Sequence, residues 1–310
     1  MSYHIRYQPE EWMTHHIATR CLEGFLFLKP KPEITSLVLG VLGRGREQYK
    51  EQVQIHNLVI MSNHYHLIAS ARSAEDLSAF MQFFNGNIAR EVNRVLKKKR
   101  YFWESRYSSH VLLDEKSLED AYKYVFANTF KERLVEHPSE WPGFHGYHVL
   151  GEGREVTGYW YDRTAFYNKS RLKSGKDLTI DDFKTTYTID FDRPALWSSL
   201  SDEEFQEMMR EFMDEVLEEW GAEEEEPFLG AEGVLDQEVY VRRIPKAGKR
   251  SVCRAECVEL WKAFRDQYRV FRIAYRDAFF ALKVALKAGR GLESICFPKG
   301  GIVPGCLVPT

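Results

Sequence analysis

The sequence predicts an α+β fold, in which a split βαβ sheet carries packed helices and a mainly α-helical extension follows it. Three observations predict this. Strand-like and helix-like stretches alternate through residues 1–150 in the order β-α-β-β-α-β-α, and an acidic amphipathic stretch and then a long basic, aromatic one follow. Of the 310 residues, 44% are hydrophobic and 29% charged, a balance that excludes a disordered or fibrous chain.

The elements follow in order. Residues 15–22 read as a strand, and residues 34–41 as a short helix opened after Lys31-Pro32. Two β-branched, apolar runs, 53–61 and 65–69, are broken at Ser62-Asn63 and form a hairpin. Ser73 with Glu75-Asp76 caps a helix whose apolar positions Leu77, Phe80, Met81, Phe84, Ile88 and Val92 keep a helical period. A strand over 107–113 leads to a helix from about 117 to 135. Together these give a ferredoxin-like arrangement.

After Trp141-Pro142-Gly143 the composition changes. Residues 151–195 are aromatic and polar and read as irregular; 201–220 is an acidic amphipathic helix capped by Ser201 and ended at Gly221. Glu223 to Glu226 with Pro227 reads as a solvated linker, 253–289 as a basic, aromatic helix or helix pair, and the proline-containing end as an extended tail. Three segments result: 1–150, 151–239 as an aromatic and acidic connection, and 240–310 as a basic helical region.

Charge separates the same segments. Lys and Arg number 19 against 17 acidic residues in 1–150, 9 against 24 in 151–239, and 15 against 5 in 240–310, so the net charge of −3 hides a basic surface suited to a polyanion. Five scattered cysteines, with Cys253 and Cys257 spaced for one helical face, lack a second pair to complete a zinc site and are expected to be reduced thiols. With no signal-type N-terminus and no apolar run of about 18 residues, a cytoplasmic protein without a membrane partner is expected.

The chemistry concentrates at Asn63-His64-Tyr65-His66-Leu67. On a strand, positions i and i+2 share a face, so His64 and His66 can present two imidazoles to one point; a solvent-facing pair beside buried Tyr65 and Leu67 has the same spacing. In the 117–135 helix, Tyr122 falls on the apolar face, whereas Tyr124 and Asn128, at i and i+4, lie together on its flank. A surface tyrosine and a helix-end asparagine would also fit. Lys97-Lys98-Lys99-Arg100 followed by Tyr101-Phe102-Trp103 combines phosphate-binding charge with aromatic faces for bases, although cations also suit a helix C-terminus. Arg265, Arg269, Arg272 and Arg276 form a one-sided stripe that could grip a DNA arm or pack on the acidic helix.

The strings VIMSNHYHLIAS and YFWESRYSSHVLLDEKSLEDAYKYVFANTFKERLVEHPSEWP resemble the core of the single-tyrosine HUH transposases, closest to the REP-associated tyrosine transposases, over about residues 10–148. That family pairs a Pro-Asn-His-hydrophobic-His strand with a helix whose nucleophilic Tyr is followed four positions on by Asn-Pro, and has a Trp-Pro pair downstream. Here Ser62 replaces the first proline, Tyr65 is the hydrophobic residue and Thr129 replaces the second proline. The resemblance implies His64, His66 and Asn128 as ligands of Mg2+ or Mn2+, and Tyr124 as the nucleophile. It also implies a single-stranded DNA endonuclease and strand transferase acting at hairpins or palindromic repeats through a 5′-phosphotyrosine. Lys97, Lys98, Lys99, Arg100 and Trp103 are the expected nucleic-acid contacts, and a homodimer is compatible with this reading. The alternative is a domesticated hairpin-binding protein without cleavage.

Overall fold

The computed structural model describes residues 5–99, 101–172, 177–221, 227–243, 251–289 and 295–302. Its central sheet is built from β1 (Met13–Arg20), β2 (Val53–Ile60), β3 (His64–Ala71) and β4 (Ser108–Leu112), with a short β7 (Cys253–Arg254) at one edge. The strand order is β2-β3-β1-β4-β7; β1, β2, β3 and β4 pair antiparallel and β7 joins β4 in parallel. With α1 (Pro32–Gln48), α2 (Ala74–Val95) and α3 (Glu115–Lys131) between the strands, the chain has the α+β, split βαβ topology expected from its periodicity.

Helix boundaries follow local chemistry. Ser73 Oγ accepts from Asp76 N at 3.1 Å and opens α2. Asp114 and Ser117 form a reciprocal capping box that starts α3 at Glu115, two residues before the expected start near 117, and Arg133, at φ 52°, lies just beyond its end. α1 runs to Gln48 rather than stopping near Val41. Its interior Gly40, Gly43 and Gly45 weaken the intrinsic helix signal, but the helix is buried on two sides and packing overrides propensity.

The second side of α1 corrects the reading of residues 151–195 as irregular. They contain the antiparallel hairpin β5 (Val156–Tyr161) and β6 (Lys184–Ile189), with α5 (Arg163–Ser170) between the strands. Gly40 on α1 faces Gly158 on β5 so closely that a Cβ on Gly40 would overlap the Tyr159 carbonyl and lie 2.7 Å from Trp160 N.

Two apolar layers result. One, with Phe27, Leu42, Leu67, Phe80 and Phe84, lies between the sheet and α1 and α2. The other, with Ile68, Leu118, Tyr122, Phe126, Met209 and Met213, joins the opposite face to α3 and to the acidic α6 (Asp202–Gly221). α6 starts where expected, Ser201 Oγ accepting from Glu204 N, and its partner is α3, through the Lys123–Glu215 ion pair. Shorter α4 (Tyr147–Leu150) and α7 (Gly230–Asp236) complete the described helices together with α8 (Val258–Lys287).

The reading of 253–289 as helix throughout is also corrected: Cys253 and Arg254 form a strand, and α8 begins only at Val258. Cys253 is therefore buried in the sheet while Cys257 is exposed, and the two share no helical face. α8 lays Phe264 and Phe271 against Tyr7, with ring centroids 5.4 and 4.5 Å apart, and leaves Arg265, Arg269, Arg272 and Arg276 exposed. Arg100, residues 223–226 of the expected linker, Cys306 and the tail from 303 onward lie outside the described residues. Among the described residues no helix is long and apolar enough to cross a membrane.

Candidate active site

Strand register decides which side chains meet. Residues paired across antiparallel strands project to the same face, and the pairs Ala18↔His66, Arg20↔His64 and His16↔Ile68 put His16, Arg20, His64 and His66 on one face. His16 pairs in turn with His110 on β4. α3 crosses this face and brings Tyr124 down onto it.

The Tyr124 ring centroid lies 5.3 Å from that of His66 and 5.5 Å from that of His16, in edge-on contact with both; His64 and His66 are 5.1 Å apart. Asn128, one turn on, brings its side chain beside the His64 ring. The strand pair and the helix pair read from spacing are thus brought to one place. Tyr122, two residues from Tyr124, is fully buried and donates to His56 O at 3.1 Å, so of these two tyrosines only Tyr124 reaches the histidines.

Each donor has one atom occupied and another left over. His64 Nδ1 is 2.6 Å from Asn63 Oδ1, and His66 Nδ1 is 3.0 Å from His16 Nε2, leaving Nε2 of both rings. The Asn128 amide nitrogen donates to Tyr124 O at 2.6 Å, which leaves its oxygen as the acceptor. Two imidazole nitrogens and an amide oxygen are a donor set that fits a divalent cation. Among the described residues no three His, Cys, Asp or Glu side chains form such a group; this set differs in taking its third donor from an amide.

The electrostatics keep the imidazoles neutral and set two cations beside the phenol. Burial, then Arg20, lowers His64 to about 4, and burial, then Arg254 and His110, lowers His16 to about 3. Burial and the neighbouring His16 and His64 hold His66 well below its ordinary value. All three rings are neutral at pH 7, the form a ligand requires. Burial raises the Tyr124 phenol, Arg254 opposes that shift, and Glu132 adds to it. Arg254 Cζ lies 5.8 Å and Lys131 Nζ 5.4 Å from the Tyr124 ring centroid.

The basic cluster sits at the His64 end of the sheet. Cys21 bridges to Trp103, and Cys21 N donates to Asn63 O. Lys97, Lys98 and Lys99 follow α2 there and are solvent-accessible. Trp103 is half-buried, donating Nε1–H to Asn85 O and packed on Tyr65 and Phe102; the exposed ring of the cluster is Tyr101. Sequence reasoning missed His16, His110, Arg20 and Arg254. The adjacent His15-His16 in a strand-like stretch was a usable signal, because alternation places one of the two on the face of His66. Arg254 gave no local signal.

Residues 46–128, which hold both histidines, Tyr124 and Asn128, match the family described as "Transposase IS200 like". The transposase resemblance read from the motifs holds over that segment. Among solved structures, the REP-associated tyrosine transposase bound to a REP hairpin is similar at 16% identity and TM-score 0.39, covering 50% of this chain and 86% of that one. A Deinococcus radiodurans R1 protein assigned as a transposase is similar at 17% identity and TM-score 0.29, covering 37% and 88%. No curated protein matches the chain at a significant level.

Proposed function

We propose that the chain is a metal-dependent single-stranded DNA endonuclease and strand transferase that works through a 5′-phosphotyrosine at Tyr124, at DNA hairpins or repeats. The observation that carries the reading is the contact of the Tyr124 ring with His66 beside His64 and Asn128, which joins a strand and a helix far apart in the chain. The family match over residues 46–128 supports it.

In this reading His64 Nε2, His66 Nε2 and Asn128 Oδ1 hold Mg2+ or Mn2+, which when bound supplies charge neutralisation at the phosphate oxygens and at the departing 3′ oxygen. His66 donates Nδ1–H to His16 Nε2, the tautomer that frees its Nε2. Tyr124 Oη attacks phosphorus, the P–O3′ bond breaks, the phenol loses its proton and the 3′ oxygen gains one. The Tyr–phosphate ester retains the energy of the broken bond, so a free 3′ hydroxyl can reverse the attack and join strands. A raised phenol is a weak nucleophile at neutral pH, so the cations around it matter to the step. Lys97, Lys98, Lys99 and exposed Tyr101 offer backbone and base contacts at the His64 end of the sheet.

The test is incubation of the full chain with labelled single-stranded oligonucleotides carrying a stem-loop and random flanks, with Mg2+ or Mn2+, followed by denaturing gels. A protein-linked 5′ end is expected. Tyr124→Phe should bind the oligonucleotide and form no adduct, and the double variant His64→Ala, His66→Ala should lose metal-dependent cleavage. An adduct that persists in Tyr124→Phe refutes the nucleophile. Binding with no adduct from the unmodified chain favours a domesticated hairpin-binding protein.

A further inference from the structure

The residues that match the transposase family end at 128, yet the sheet carrying the histidines is finished by a strand more than a hundred residues later. β7 pairs only Val111↔Cys253 and Leu112↔Arg254. Leu112 is two positions beyond His110, which pairs with His16, so Arg254 emerges on the histidine face while Cys253 turns to the other face, in a small cluster with Val111 and Phe264. The observed position agrees: the guanidinium carbon lies 5.8 Å from the centre of the Tyr124 ring.

Its placement is fixed from both sides. Leu113 N donates to Arg254 O at 3.0 Å, and Val111 N donates to Val252 O at 3.0 Å. Asp114 then ties the strand to the tyrosine helix: Oδ1 accepts from Ser117 N at the start of α3, while Oδ2 accepts from Glu256 N at 2.8 Å and Cys257 N at 3.0 Å. One carboxylate therefore anchors both the helix bearing Tyr124 and the segment bearing Arg254.

The charge of Arg254 is unspent. Arg20, the other arginine on this face, pairs with Glu104 and donates to Arg243 O at 3.0 Å. Lys131 spreads over Trp220 as well as Tyr124. Among the described residues no carboxylate pairs with Arg254, which is half-buried beside neutral imidazoles. A guanidinium held without a counter-ion next to a phenol and two rings with free nitrogens is a site for a phosphate oxygen.

We infer that Arg254, delivered by the strand that the C-terminal extension adds to the sheet, is a catalytic residue of the cleavage site, its guanidinium holding a non-bridging oxygen of the scissile phosphate while Tyr124 Oη attacks. This inference rests on the cleavage reading given above. As the Tyr–O–P bond forms and the P–O3′ bond breaks, the phosphoryl oxygens gain negative charge, and the guanidinium N–H donors meet it without reorganising. The proton lost by the phenol is balanced by the one gained at the departing 3′ oxygen, and nothing is oxidised or reduced.

The test uses the full chain and the same stem-loop oligonucleotides. Arg254→Gln, which keeps a polar side chain on the strand, should slow adduct formation at saturating DNA and metal by about 100- to 1000-fold, the loss typical of removing one such donor. Oligonucleotide affinity, followed by fluorescence anisotropy, should change by less than about threefold on this reasoning, because the guanidinium acts on charge that develops during the step. Arg254→Lys should recover part of the rate, since it restores the charge without the fork. A rate within threefold of the unmodified chain in Arg254→Gln, or a lysine variant no faster than the glutamine one, overturns the inference. An adduct that needs Tyr124 but is indifferent to Arg254 retires this inference alone. Failure of the unmodified chain to form any Tyr124-dependent adduct removes the cleavage reading, and this inference with it.

Discussion

Replacing Gly40 by alanine tests the close packing of the hairpin β5–β6 on α1, and Gly86 in α2 supplies a matched control. Both are interior helix positions, where alanine is favoured over glycine by about 0.8–1.0 kcal/mol. At Gly86 the added methyl meets nothing within 4 Å, so Gly86→Ala should stabilise the chain by nearly that amount. At Gly40 the same methyl would overlap the Tyr159 carbonyl and sit 2.7 Å from Trp160 N, both backbone atoms that no rotamer change can move aside. The hairpin must then lift off the helix. Overpacking costs typically about 1–3 kcal/mol, and a clash against backbone belongs at or above the top of that range. After the propensity gain, a net loss of about 2 kcal/mol or more remains. At about 2.1 cal/mol/K per residue, the unfolding entropy of a chain this long makes 1 kcal/mol worth roughly 1.5 °C. Calorimetry or circular dichroism melting should therefore show Gly86→Ala raised by about 1 °C and Gly40→Ala lowered by about 3 °C or more. A Gly40→Ala chain as stable as the unmodified one would falsify the close packing of β5 on α1.

His16→Leu removes the partner of His66 Nδ1 at nearly constant volume, so the Mg2+ or Mn2+ concentration giving half-maximal adduct formation should rise about 10- to 100-fold, the usual effect of losing an orienting partner behind a ligand; an unchanged metal titration would show that His66 is oriented by other contacts. His145 is fully buried, its Nε2 bonded to Phe126 O and its Nδ1 accepting from Tyr147 N, and burial, then His148, lowers it to about 3. In the unfolded chain that ring takes up a proton below about 6.5 while the folded chain does not, so stability is intact above that pH and is lost as pH falls toward 3, by about 2 kcal/mol per such ring between pH 7 and pH 5. Urea unfolding of His145→Gln should show that much less loss between the two pH values, and an unchanged slope would place the acid sensitivity elsewhere.

The parts legible in the sequence were those fixed by local pattern. The period-2 and period-3.6 runs located the four main strands and α2, and the spacing of His64 to His66 and of Tyr124 to Asn128 identified pairs that share a face, because those periods set side-chain direction whatever the tertiary context. What brought the two pairs together was register: Ala18↔His66 and His16↔His110 are choices between strands that no single stretch records. The hairpin at 156–189 was missed because its strands are partly exposed on both faces, carry Gly158, and are separated by a long insertion containing α5, so alternation is faint. β7 was missed for a stronger reason. Two residues have no period, and Cys253-Arg254 is a strand only because β4 offers an edge. The reading in which part of the arginine stripe packs on the acidic helix is corrected: the four arginines are exposed, and that helix lays its apolar face on α3 instead.

That edge strand sets an order of events during synthesis. β4 leaves the ribosome long before its neighbour at 253–254 exists, a gap of roughly 7–28 s at about 5–20 residues per second. Until then the flank of the nascent sheet at β4 is open, and once α3 is made Tyr124 stands by its histidines without Arg254. A chain interrupted between Asn128 and that arginine would carry the histidines, the phenol and the amide, and still lack the last cation of the pocket.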